Sequence, residues 1–141
     1  MKKLLLISLL LLFTSACQSL SKPEDPLYVE LGGAEGVERL ADQFIIEITH
    51  DPLVRAHFED SNMRRFREKF IEHACHLSGG GCDYTGDTMI DVHTGMDISE
   101  AEFNAVVQNL IDAMDTLSIK TTTQNRLLAI LAKLREEIIY R

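Results

Sequence analysis

Apolar residues recur at helical spacing along most of the chain. Between 34 and 49, Val37, Leu40, Ala41, Phe44, Ile45 and Ile48 fall at i, i+3, i+4, i+7, i+8 and i+11. That spacing is one helical face, and Glu35, Glu38, Arg39, Asp42 and Glu47 fill the remainder. Gly32-Gly33 permits a sharp corner from a short first helix around Leu27 to Leu31. Asp51-Pro52 ends the long helix and can open another, since proline is tolerated in a first turn. A further helix is predicted from about Asn62 to Leu77, with Met63, Phe66, Phe70, Ala74 and Leu77 on one side and Arg64, Arg65, Arg67 and Glu68 on the other. Gly79 to Gly81 stop it.

From Ser99 the pattern is strongest. Ser99-Glu100-Ala101-Glu102 is a capping box leading into Phe103, Val106, Val107, Leu110, Ile111, Met114 and Leu117. A last helix from about Thr122 carries Leu127, Ile130, Leu131, Leu134 and Ile138. No stretch alternates with β-branched enrichment, and no segment repeats. The chain reads as all-α, with one less regular stretch from Ser78 to Asp97.

The first residues follow another logic. Lys2 and Lys3 precede an apolar run from Leu4 to Phe13, interrupted only by Ser8, and Thr14-Ser15-Ala16-Cys17 follows. A basic segment, a short apolar core and a small-residue exit describe a secretory signal peptide. Ten residues rise only about 15 Å as a helix, half a hydrocarbon core. Cys17, set directly after small residues, resembles the lipobox of bacterial lipoproteins, whose cysteine is acylated and becomes the first residue. Thr14 stands where that motif more usually has Leu, and the alternative is plain secretion with cleavage near Ala16. Gln18 after the cysteine implies, in that family, delivery to the outer membrane, so the protein is expected at its periplasmic face. Residues 1–16 are then a leader, 17–26 a polar tether with Pro23 and Pro26, and 27–141 the folded domain.

Length and charge narrow the function. The 141 residues are enough for one domain and one core. With 14 Lys+Arg against 22 Asp+Glu the formal charge is −8, and removing Lys2 and Lys3 with the leader takes it to −10. Tracking nucleic-acid phosphates requires a concentrated basic surface, so that class of partner is excluded.

The irregular stretch concentrates chemistry. Cys75 and Cys82 flank the glycine turn; behind a signal peptide a disulfide is the default, and two free thiols are the alternative. His50 and His57 flank the Asp51-Pro52 corner, where surface or capping roles are expected. His73 and His76, three apart with Cys75 between them, form a weak metal-binding pattern. His93 differs, with Met89, Val92, Met96 and Ile98 around it.

Taken together, these residues resemble the truncated, two-over-two haemoglobins, most closely their first group. The matching elements run in order: Leu27-Tyr28 with Leu31-Gly32-Gly33, Phe44, Asp51-Pro52-Leu53, Phe58, Asn62-Met63, Ser78 to Gly81, and Tyr84-Thr85-Gly86. They continue with Met89, His93, Gly95, Met96, Ile98, Phe103 and Leu110. The resemblance spans residues 27–141, and the paired cysteines look like a secreted lipoprotein branch.

The resemblance implies a truncated-globin fold around haem b, held between the helix carrying Phe66 and Phe70 and the stretch carrying His93. His93 matches the proximal iron ligand. Phe58 matches the aromatic stacked on the porphyrin, Phe66 and Phe70 the two positions facing the distal side, and Lys69 lies within reach of a propionate. Met89, Val92, Met96, Ile98, Phe103 and Val107 are candidates for the proximal wall. Phe44, Ile45, Met63 and His73 complete the candidate cofactor contacts. The family usually has Tyr after Phe44 and often Gln at the distal positions; here Ile45, Phe66 and Phe70 supply no hydroxyl or amide, which predicts faster O2 release. NO and CO lose little by this. His73 is then the one polar group near that helical face, able to stabilise the ligand or to ligate the iron itself, with a surface role as the alternative.

The expected function is reversible binding of O2, NO or CO, with the electron donor undefined. A haem-dependent NO dioxygenase or peroxidase-like enzyme is the second reading. A metal-binding module built on His73, Cys75 and His76, or a purely structural envelope lipoprotein, is the third.

Overall fold

The computed structural model describes residues 26–141. The leader, the tether up to Asp25 and the acylation candidate Cys17 lie outside these residues. Seven α-helices follow in order: α1 Pro26–Glu30, α2 Gly33–His50, α3 Met63–Leu77, α4 Met89–His93, α5 Glu100–Thr116, α6 Thr121–Leu131 and α7 Arg135–Ile138. Short 3₁₀ turns occupy Arg55–Phe58 and Ala132–Leu134. Among the described residues there is no strand, and no helix is long and apolar enough to cross a membrane.

The helix ends follow from local chemistry. Gly32, at φ 94°, turns α1 into α2 through the left-handed region that a side chain disfavours. The Asn62 side chain accepts the Arg65 amide to start α3. Ser99 closes both halves of its capping box with Glu102.

The core is the face that α2 turns inward. Val37, Leu40, Ala41, Phe44 and Ile48 are buried against Leu110, Ala113 and Met114 of α5 and Ala74 of α3. α2 packs on both α3 and α5, α5 meets α6, and α1 is set on α6, giving two pairs of helices one over the other. Charge ties the pairs at their edges. Arg67 grips Asp42 through two nitrogens and holds the Asp42 carboxyl below its usual range. Asn109, buried on α5, donates to Asp51 at 2.9 Å and so fixes the corner after α2.

The last helix departs from its expected form. One helix was predicted from about Thr122, whereas the chain tightens into a 3₁₀ turn at 132–134 before α7. With three residues per turn, side chains three apart eclipse one another. Leu131 and Leu134 therefore face the same way, and both line a cavity that α3, α4 and α5 also bound. α7 packs on α4, and the carbonyl of Arg141 accepts the amides of Gly95 and Asp97 at 3.0 and 2.9 Å. The end of the chain thus braces the turn that follows His93.

Candidate functional site

A cavity of about 690 Å³ lies between α2, α3, α4, α5 and the α6–α7 bend. Its size falls inside the range of about 300–1,000 Å³ for cofactor and small-molecule sites. An aromatic cluster forms one wall. The Phe44 ring lies 5.1 Å from Phe70 and 6.2 Å from Phe66, and Phe58 meets Phe66 edge-on at 5.2 Å. Each such pair contributes about 0.5–1.5 kcal/mol beyond its buried area. Four rings from three elements therefore hold the wall stiffly.

His93 lines the cavity from the last position of α4. Its Nδ1 lies 2.7 Å from the Met89 carbonyl. A carbonyl only accepts, so Nδ1 carries the proton and donates. In the neutral ring this leaves the Nε2 lone pair free, the form in which imidazole ligates iron. An aromatic-walled slot into which His93 brings a free Nε2 lone pair fits an iron porphyrin.

Of the residues singled out in the sequence, Phe44, Phe58, Phe66, Lys69, Phe70, His73, Met89, Val92, His93, Met96, Ile98, Phe103 and Val107 all line this cavity. Ile45 and Met63 do not. Ile45 lies about 100° of helix beyond Phe44, and it is Phe44 that turns inward. Met63 is the first residue of α3, and helical side chains lean toward the N-terminus, which carries it past the cavity's end. Lys69 is held by Glu72 at 2.8 Å and by the Thr85 hydroxyl at 2.6 Å. The Lys69 bond chiefly, and next the Thr85 amide and hydroxyl that donate to Glu72, pull the Glu72 carboxyl down to about 2.

Cys75 and Cys82 form a disulfide with their Cα atoms 5.7 Å apart. Cys75 is thereby removed from any metal-ligand set with His73 and His76, and His76 bonds the Cys82 carbonyl instead. Among the described residues no group of three acidic, His or Cys side chains is placed to hold a metal ion.

Sequence reasoning missed several lining residues. His57, expected at a surface corner, points inward and meets Glu102 at 2.8 Å. Glu102 uses its other oxygen on the Ser99 hydroxyl and amide, and these bonds, with His57, pull its carboxyl down to about 2. The capping-box pattern accounts for only one of its two oxygens. Tyr84 stacks on His73 with ring centroids 4.6 Å apart. Burial, with His76 nearby, lowers the His73 pKa, so the ring favours its neutral form. Arg65 and Asp87, paired at 3.0 Å, also line the cavity, as do Leu128, Leu131, Leu134 and Ile138.

The family model for bacterial-like globins matches residues 26–140. The chain belongs to that family. It is 30% identical over 112 residues to the group 1 truncated haemoglobin GlbN of Mycolicibacterium paratuberculosis, covering 79% of this chain and 82% of that protein. Its fold matches the truncated haemoglobin of Tetrahymena pyriformis in the Fe(III) form, with a TM-score of 0.79 at 22% identity over 82% of this chain and 98% of that one. It also matches the 2/2 haemoglobin of Synechococcus sp. PCC 7002, with a TM-score of 0.76 at 21% identity and the same coverage. The cofactor of this globin is haem b.

Proposed function

We propose that this globin binds diatomic gases reversibly at a haem iron ligated by His93. The observation that carries the reading is the bond from His93 Nδ1 to the Met89 carbonyl, which presents Nε2 to an aromatic-walled cavity. The bound haem supplies the iron at which O2, NO or CO attaches. Phe58, Phe66 and Phe70 hold the macrocycle and exclude water, and the hydrogen bond to Met89 keeps the imidazole in one tautomer. Arg65 and Lys69, both on the cavity edge, are cations suited to its carboxylates.

On the cavity face of α2 and α3, Phe44, Phe66 and Phe70 carry no hydroxyl or amide, and the polar side chains beside them on α3 are Arg65, Lys69 and His73. A hydrogen bond to bound O2 contributes about 1 kcal/mol. Without a hydroxyl or amide at those three positions, O2 is expected to leave about five-fold faster than from a globin that has one there.

The test is spectroscopic. Purified protein should show a Soret band in its ferric and ferrous forms that shifts with CO, and His93→Gly should lose or strongly alter it, with partial recovery on adding imidazole. A wild-type protein that is colourless and takes up no haemin refutes the reading.

The leader pattern supports a second part of the proposal. The globin is exported, acylated at Cys17 and anchored at the periplasmic face of a bacterial outer membrane. A disulfide in the domain suits an oxidising compartment. Mass spectrometry of membrane-fraction protein should find a diacylglyceryl group on Cys17. Cys17→Ser should release the domain into the soluble fraction, and an unmodified Cys17 would overturn the anchor.

A further inference from the structure

Residues 82–87 run antiparallel along α3 and are laced to it in register. Cys82 is bonded to Cys75, and its carbonyl accepts from His76 Nδ1 at 3.0 Å. Tyr84 stacks on His73. Thr85 gives its amide and hydroxyl to Glu72 at 3.0 and 2.9 Å and accepts from Lys69. Asp87 pairs with Arg65. Descending α3 from 76 to 65 therefore means ascending this strap from 82 to 87.

The strap is part of the cavity wall, since Tyr84 and Asp87 line it. It also leads directly into the iron-ligand helix. The next residue, Thr88, caps α4 by accepting the Asp91 amide, and α4 ends at His93.

One link in this lacing is covalent, and it sits at the strap's root. Behind it lies a turn of three glycines, with Gly79 and Gly81 at φ 84° and 79°, held to the end of α3 by the Gly79 and Gly80 amides on the His76 and Cys75 carbonyls. A Cβ on Gly80 would lie 2.6 Å from both Cys75 Sγ and the Tyr28 ring, so the turn is seated on the disulfide itself. Beyond the root the links are noncovalent, and the Arg65–Asp87 pair, with both side chains more than half exposed, is screened by solvent and salt.

We propose that the Cys75–Cys82 disulfide is a redox latch on the cofactor cavity. With the bond formed the strap closes the wall, and its reduction by a dithiol frees the strap and hastens haem loss. The inference rests on the globin reading. In the chemistry, a thiolate of the dithiol attacks the Sγ of Cys82, the more exposed of the two residues. The S–S bond breaks, and Cys75 leaves and takes a proton. The second thiol of the reductant then displaces Cys82, which takes the other proton. The dithiol ends as its own disulfide, having given two electrons.

The test follows haem leaving the ferric holoprotein for excess apomyoglobin at the Soret band. It compares oxidised wild type, wild type reduced with dithiothreitol and alkylated, and Cys82→Ser. Closing an eight-residue loop limits the gain in opening to about 60-fold, and we expect transfer about 5–60-fold faster in both unlatched proteins. Hydrogen exchange gives a second reading, in which the Thr85 amide, bonded to Glu72, should lose protection on reduction. Coincident transfer rates or unchanged Thr85 protection would overturn the latch. A missing Soret band in the oxidised protein would instead overturn the globin reading, so the two failures are distinct.

Discussion

Gly36→Ala sets two effects of opposite sign against each other. Gly36 is buried in the first turn of α2. Replacing a helical glycine by alanine ordinarily stabilises by about 0.8–1 kcal/mol, because alanine loses less backbone freedom on folding. Here the added Cβ would fall 1.9 Å from the Leu31 carbonyl oxygen and 2.8 Å from its carbon. These are backbone atoms of the α1–α2 corner, whose geometry Gly32 sets at φ 94°. Relief requires moving that corner, which carries the buried Leu27, Tyr28 and Leu31 and the bond from the Gly36 amide to the Gly32 carbonyl. Overpacking of this kind costs about 1–3 kcal/mol, and a clash with backbone belongs at the upper end. The clash wins, and the net expectation is a loss of about 2 kcal/mol after subtracting the propensity gain. Urea unfolding followed by far-UV circular dichroism measures it, with the midpoint lowered at unchanged slope. Ala34→Gly, at an exposed position of the same helix, serves as the control and should lose about 0.5–1 kcal/mol by propensity alone. A Gly36→Ala protein as stable as wild type, or more so, would refute the reasoning.

Ser99→Ala should cost about 1 kcal/mol in the same assay, since the hydroxyl serves the Glu102 amide and carboxylate together. Met114→Ala, fully buried between α5 and α2, should cost about 2–5 kcal/mol, with the larger value if the site fails to collapse. Acid should unfold the protein partly through Glu72 and Glu102. Both carboxyls sit at about 2 when folded against an ordinary 4.5, so their contribution is complete above 4.5 and fades as the pH falls toward 2. Glu72→Gln with Glu102→Gln should flatten that acid limb, and an unchanged limb would show that other carboxylates dominate. His73 acts above that window. Its lowered pKa means the unfolded chain takes the proton first, so stability falls as pH drops below about 6.5, and His73→Phe should remove that slope.

Most of the helical framework was legible because it depends on local rules. The apolar spacing in 34–49 and 99–117, the Ser99 cap and the glycine corners each involve residues within a turn or two of one another. Placement of side chains around the cavity was less legible. Ile45 follows Phe44 in a uniformly apolar run, and nothing in that run says which of the two faces inward. His57 and Glu102 are 45 residues apart and each has a local explanation, so their meeting leaves no trace in spacing. The bend at 132–134 interrupts a pattern that a straight helix would satisfy equally well.

By itself the sequence determined an all-α domain, most of its helix starts and stops, and a family pattern pointing to His93. Those properties are encoded in periodicity, capping and short motifs, which act over a few residues. The tertiary structure alone decided that Phe44 rather than Ile45 faces the cavity and that His57 turns inward to Glu102. It also decided that residues 82–87 lie along α3. These are outcomes of packing between distant segments, where burial and hydrogen-bond satisfaction for the whole domain choose among arrangements that local sequence leaves equal.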